Sequence, residues 1–191
     1  MLKRENKHRW LKDLVIPIGV GLFVAFGIRT FVATAAVVPS ASMYPTIPAT
    51  SPQQISVIAV DKIATEFGSI HRGEVVTFHF PDKPSEIYVK RVVGLPGDTV
   101  TVTEDAVYVN GKKLDESNIN IAKSNGTALG TYHVPAGHYF MLGDNRPPSD
   151  DSRLWVHKYV ARSAITGRAD FVLYPLNKLG TISQSLSSPS K

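Results

Sequence analysis

Leu14 to Ile28 is an unbroken uncharged and almost wholly apolar run; Arg29-Thr30 interrupts it, and Phe31 to Val38 is apolar again. The stretch is about 25 residues long, enough for a helix to cross a hydrocarbon core of roughly 30 Å. Beyond it the pattern shortens. Residues 55–60 (Ile-Ser-Val-Ile-Ala-Val), 74–80 (Glu-Val-Val-Thr-Phe-His-Phe), 87–93, 99–103, 106–109, 138–142 and 169–173 are brief runs, mostly rich in β-branched or aromatic side chains, and they predict strands. Asn110-Gly111, directly behind Val107-Tyr108-Val109, predicts a hairpin turn. Pro81, Pro84, Pro96-Gly97 and Pro135-Ala136-Gly137 punctuate the runs. Residues 115–131 are polar and rich in Gly and Asn, and read as a loop or a small excursion from the core. Residues 182–191 read as a disordered tail. No long amphipathic helical pattern follows the first segment, so the fold expected is mostly β behind a single N-terminal transmembrane helix. The divisions are a basic N-terminus over 1–13, an anchor over 14–35 and a domain over 36–181.

Length and charge narrow this picture. A chain of 191 residues accommodates an anchor and one domain of roughly 150 residues. It has no cysteine, which excludes disulfides, thiolate metal sites and a cysteine nucleophile. The net charge of +5 and pI of 9.4 would suit nucleic acid, but the distribution does not. Residues 1–13 carry +3 and Arg29 adds one, whereas from residue 31 onward 15 basic residues face 14 acidic ones. No basic face is left for nucleic acid. The cations precede the apolar segment, so the N-terminus is expected in the cytoplasm and the domain outside the cell membrane. A cleavable signal peptide is the competing reading, with Ala33-Thr34-Ala35 as its cleavage pattern. The apolar stretch exceeds a typical signal core of roughly 7–15 residues, which favours an anchor that is kept. Whether Ala33-Thr34-Ala35 is self-cleaved is left open, with the site expected to be spared while the anchor is embedded.

Candidate chemistry lies in three segments. In Pro39-Ser40-Ala41-Ser42-Met43-Tyr44-Pro45-Thr46 the prolines restrict the backbone around two serines, as a rigid presenting turn would need, although a Ser/Pro linker has the same composition. A serine hydroxyl is a weak nucleophile until a base takes its proton. In Tyr88-Val89-Lys90-Arg91-Val92-Val93-Gly94, strand alternation puts Lys90 with Tyr88 and Val92, and Arg91 with Val89 and Val93. A lysine facing the interior would lose its proton more readily; alternation leaves open which of Lys90 and Arg91 faces inward. The stretch Gly143 to Trp155 holds three aspartates and two arginines, a composition suited to a self-paired loop of ion pairs and side-chain caps. The six histidines, His8, His71, His79, His133, His138 and His157, show no metal-ligand spacing and no triad pattern, so neither metal nor cofactor is expected.

Together these segments resemble type I signal peptidases of the bacterial, single-anchor kind. The resemblance is carried in order by Pro39 to Thr46, Arg72-Gly-Glu-Val-Val-Thr-Phe78, Tyr88 to Asp98, Gly143-Asp-Asn-Arg146 and Ser149-Asp-Asp-Ser-Arg153, and runs from the anchor to about residue 180. It implies an antiparallel β-sheet catalytic domain with a small inserted β region over about 104–135. It implies removal of signal peptides from exported preproteins at the bilayer, by a monomer, with cleavage after small residues (Ala-x-Ala). Ser42 matches the nucleophile and Lys90 the general base. Ser40 and the Ser42 N–H match the oxyanion hole. Phe78, Tyr88 and Met141 match positions packed around the lysine; Asp144, Arg146, Ser149, Asp151 and Arg153 match residues that support the site. Three features depart from the family pattern: Val156 where glycine is usual, Pro147-Pro148, and a longer passage from Thr46 to Asp61. Two other readings remain, a membrane-anchored β module without chemistry and a self-cleaving Ser–Lys repressor. The intact Ser40, Ser42 and Lys90 weigh against the first, and the anchor without a DNA-binding helical domain against the second.

Overall fold

The apolar N-terminal run starts as helix and ends as strand. The structure, a computed structural model, describes residues 11–49, 54–117, 119, 128–184 and 186. Leu11–Val15 winds as a π-helical stretch, α1 spans Ile16–Gly27, and Ile28–Val32 is again π-helical. Pro17 sits in the first turn of α1, where its missing N–H leaves no helical bond broken. Among the described residues no helix is long and apolar enough to cross a membrane. The helix expected over 14–35 stops at Val32. β1 (Ala33–Val38) follows at once and pairs antiparallel with β2 (Ser56–Asp61), from Ala33 opposite Asp61 to Val38 opposite Ser56. The β2 edge completes the hydrogen bonding of an apolar stretch whose sequence suits helix or strand equally.

The main sheet is antiparallel throughout. Behind β2 come a single helical turn, α2 (Ile63–Glu66), and then β3 (Val75–Phe80) and β4 (Lys83–Gly94). Late in the chain lie β9 (His138–Leu142), β10 (Val160–Ala161), β11 (Ile165–Tyr174) and β12 (Gly180–Thr181). The strand order is β1-β2-β11-β3-β4-β9-β10, with β12 on β11. β4 runs straight through Pro84, which sequence reading takes as a break. β9 pairs only with the Arg91–Gly94 end of β4, so Pro84 occupies an open edge where no ladder donor is needed.

A second sheet grows out of the first. β5 (Thr99–Val102), β6 (Val107–Val109), β7 (Lys112–Lys113) and β8 (Gly130–His133) pair in the order β7-β6-β5-β8. Asn110 and Gly111 both have positive φ, 51° and 77°, the turn expected between β6 and β7. The second sheet begins at Thr99, ahead of the inserted region expected over about 104–135, and the polar stretch within that region ends in a strand.

The tail also differs from expectation. Ile182 is buried, the Gln184 amide donates to the Ala169 carbonyl and accepts from the Val75 N–H, and Leu186 packs under the second sheet. Two apolar side chains and one amide fasten a serine-rich segment whose mean composition resembles disorder. The rest of the expected tail lies outside the described residues.

Both faces of β4 are covered. Val89 belongs to the cluster of Val38, Met43, Ile47, Ile58 and Val60; Val93 joins the core beneath the second sheet. Val92, with Tyr88 at the margin, faces Phe78, Tyr139, Met141 and Trp155. That two-sided burial decides the fate of the two cations between them.

Candidate active site

Lys90 and Arg91 are both buried, on opposite faces of β4. Alternation could not choose between them because from Val89 to Gly94 the strand has no solvent face. The Lys90 stem runs along the face of Val92 and Phe78, and its Nζ lies 5.6 Å from the centroid of the Tyr88 ring. Phe80 stacks on Tyr88 at 4.4 Å, and Trp155 packs edge-on to Phe80 and tilted to Phe78. Met141 lies opposite Val92 in the β4–β9 register. The structure thus collects Phe78, Tyr88 and Met141 in one cluster. It adds Phe80 and Trp155, which sequence reading did not single out.

Ser42 is brought to this lysine by a fixed turn. Ala41–Met43 form one 3₁₀ turn directly after β1 and Pro39, and the buried Met43 and Ile47 root the segment in the core. The Lys90 Nζ donates to Ser42 Oγ at 2.6 Å, across 48 residues of sequence. The Ser40 hydroxyl lies 3.2 Å from the same oxygen. Among the described residues no histidine hydrogen-bonds the Ser42 hydroxyl. Burial lowers the Lys90 ammonium from its ordinary 10.5 to about 8; Asp151, Asp150 and Asp144 hold it from falling further.

The acidic loop divides its charges by partner. Asp144 takes Arg91 bidentately, Nε to Oδ1 at 2.8 Å and Nη2 to Oδ2 at 2.7 Å, and accepts from the Thr46 hydroxyl at 2.5 Å. Arg91 also donates to the carbonyls of Gly73 and Ser183. Asp151 pairs with Arg153 through both oxygens and accepts from the Gly143 N–H. Arg146 donates to the Gly143 carbonyl and pairs with Glu116 of the second sheet region at 2.6 Å. Ser149 is buried against Gly143, where a Cβ would overlap Ser149 and the Ser42 carbonyl. Asn145, which sequence reading quoted in a motif but gave no role, hydrogen-bonds both carbonyls of the serine turn. Its only signal in the sequence was its place between Asp144 and Arg146.

A cleft of about 300 Å³ opens beside the serine. β1 residues Ala36–Val38 form one wall, Ile87–Lys90 the other, with Ile58, Pro148 and Asp150 closing it. Its walls are mainly apolar. An extended peptide laid there would meet Ser42 and Lys90 together.

The sequence pattern of the family described as signal peptidase, peptidase S26, matches residues 9–174. The chain belongs to the signal peptidase family S26. Relatives agree along nearly the whole length. A signal peptidase I from Leptolyngbya laminosa is 40% identical over 179 residues, 90% of this chain and 84% of that protein. Signal peptidase I S from Bacillus subtilis (strain 168) is 35% identical over 186 residues, 93% of this chain and 94% of that one. A solved signal peptidase I from Enterococcus faecalis V583 is 34% identical, covers 52% of this chain and 96% of its own, and superposes with a TM-score of 0.44. As an S26 peptidase the chain is an enzyme that hydrolyses peptide bonds. The three departures from the family pattern expected from the sequence have different settings. Val156 is exposed in a loop pinned by Asp82, which accepts from the Val156 and His157 N–H groups, and Pro148 lines the cleft. In the passage from Thr46 to Asp61, residues 50–53 lie outside the described residues.

Proposed function

We propose that this peptidase is a membrane-anchored serine endopeptidase that removes signal peptides from exported preproteins through a Ser42–Lys90 dyad. One observation carries the reading: a desolvated lysine amine 2.6 Å from a serine hydroxyl at the end of a peptide-sized cleft. Neutral Lys90 takes the Ser42 proton as Oγ attacks the scissile carbonyl. The carbonyl π pair moves to oxygen, where the Ser40 hydroxyl and the Ser42 N–H are the donors at hand. Collapse expels the amine, which takes the proton back from Lys90 and leaves an acyl-enzyme. Water then attacks the ester, with Lys90 as base and Ser42 as leaving group. The small-residue preference is proposed from the family resemblance, and the cleft offers it apolar walls at Ala36, Val38 and Ile58. Asp144, Arg146, Ser149, Asp151 and Arg153 act as support that holds the turn against the sheet.

The anchor belongs to the same proposal. From Leu14 to Ile28 the large apolar side chains stand 46–78% exposed, with no surface from the described residues covering them. The three helical stretches run without a gap from Leu11 to Val32, so together they reach about 30 Å. Hydrocarbon is the medium that would cover such a surface, with the basic N-terminus in the cytoplasm.

The test is cleavage of a preprotein by the full chain in detergent micelles, with the new N-terminus read by mass spectrometry. Cutting after an Ala-x-Ala pattern that vanishes in Ser42→Ala is the expected result; cutting that persists in Ser42→Ala would move the nucleophile elsewhere. The same assay run against pH checks the base. Lys90 works unprotonated, so kcat/KM is expected to rise tenfold per unit below pH 8 and to level off above it, from the value of about 8 for the lysine. A flat profile from pH 6 to 9 would remove Lys90 from the role of base.

A further inference from the structure

Asn145 makes two bonds to the serine turn that the dyad does not explain. Its side-chain Nδ2 donates to the Ala41 carbonyl at 3.0 Å, and its backbone N–H donates to the Ser42 carbonyl at 3.0 Å. The Tyr44 N–H reaches the same Ala41 oxygen at 3.1 Å. The Ala41 carbonyl and the Ser42 N–H belong to one peptide unit. That unit is planar and trans, so its C=O and N–H point in opposite directions. Whatever holds the oxygen on one side therefore sets where the hydrogen points on the other. Asn145 stands on the side of the acidic loop, and Ala41 and Ser42 line the cleft.

We infer that Asn145 is a positioning residue: by gripping the Ala41 carbonyl from behind, it aims the Ser42 N–H at the place where the oxyanion develops. The inference rests on the proposed dyad and its oxyanion donors, and adds the residue that orients one of them. A donor mis-aimed by a few tens of degrees binds a ground-state carbonyl nearly as well, but loses much of its hold on a localised negative charge. The effect belongs on kcat. The backbone bond from Asn145 to Ser42 survives any side-chain replacement, so Asn145→Ala removes the grip on Ala41 and leaves the bond to Ser42 in place.

For Asn145→Ala the expected result is a fall in kcat of about 10- to 100-fold, below the roughly 10²–10³ of an oxyanion donor removed outright. KM should stay within about twofold, and the pH midpoint should not move. A peptide aldehyde gives a readout that a structural role would not shift. Its carbonyl carbon bonds to Ser42 Oγ, the π pair goes to the carbonyl oxygen, and Lys90 receives the hydroxyl proton. Its inhibition constant should weaken by the same factor as kcat, while an uncleavable peptide of the same sequence binds unchanged. Asn145→Asp keeps the shape but cannot donate. Compared at the high-pH plateau, where Lys90 is neutral in every variant, it should be at least as slow as Asn145→Ala. It also decides the question if Asn145→Ala does not fold.

An Asn145→Asp enzyme as fast as wild type would reduce Asn145 to filling space. A rise in KM with kcat intact, or aldehyde affinity unchanged while kcat falls, would equally overturn the inference. Wild type that neither cuts a preprotein nor takes up the aldehyde would sink the dyad itself, and the aiming role with it.

Discussion

Replacing Lys90 with methionine is expected to abolish cleavage and, at neutral pH, to make the protein harder to melt. The loss of activity should be on the order of 10⁴-fold or more, since removing one member of a concerted nucleophile–base pair costs nearly as much as removing both. The gain in stability has a separate origin. Burial brings the Lys90 ammonium from 10.5 to about 8, so the folded state holds that proton less tightly than the unfolded chain does. A gap of this size corresponds to about 3 kcal/mol of penalty for folding around the charged amine. The penalty is absent above about pH 10.5, where the lysine is neutral in both states. It grows as pH falls from there to 8 and is complete below 8. Methionine fills the same channel beside Val92, Phe78 and Met141 without a charge. Calorimetry at pH 7 should therefore show Lys90→Met melting on the order of 5–10 °C higher than wild type, with the gap closing toward pH 10.5. Equal melting at pH 7 would mean that Lys90 carries no desolvation penalty, and the source of its basicity would have to be found elsewhere.

The opposite sign is expected one residue along. Arg91 and Asp144 form a bidentate pair with both side chains almost wholly excluded from solvent. Asp144→Ala leaves a guanidinium in that position with only carbonyl and hydroxyl oxygens around it. Stranding one member of a buried pair costs about 3–5 kcal/mol. In urea the midpoint should fall accordingly. Activity should fall with it, because Asp144 also holds Thr46 and lies next to the residue gripping the serine turn. The double variant Arg91→Met with Asp144→Leu is expected to recover most of the lost stability, since an apolar pair of similar volume removes both desolvation penalties. It should not recover cleavage. If Asp144→Ala alone unfolds no more easily than wild type, the pair contributes register and not stability.

Much of this was legible because burial leaves a mark on residue choice. β2, β3, β5, β6, β9 and β11 are found within a few residues of their expected places, since each alternates or concentrates β-branched or aromatic side chains. β1 was hidden because an apolar run of Ala and Val looks the same whether lipid or a neighbouring strand covers it. Pro84 misled because a proline's meaning depends on which edge of a strand is paired, and that is a property of topology. Residues 182–186 looked like a tail because fastening by one amide and two apolar groups leaves almost no trace in composition. In the site, serine and lysine were conspicuous as chemistry. Asn145 was not, since its part consists of two bonds to backbone oxygens that carry no sequence signature.

The junction between helix and sheet has a mechanical consequence. No loop separates Val32 from Ala33. β1 is paired along all six residues, and Lys62 staples the corner by donating from its N–H to the Val32 carbonyl and from its Nζ to the Thr30 carbonyl. The turn proposed to be catalytic is carried on a strut about 20 Å long, not on a tether. A tethered site sweeps a volume and meets targets at many heights; a strutted one holds a single station and searches nothing. With the anchor and nucleophile proposed above, the slack needed to bring a scissile bond to Ser42 has to come from the substrate. Preproteins that differ in the length of chain between their own apolar core and their cut site should be sorted by that length alone.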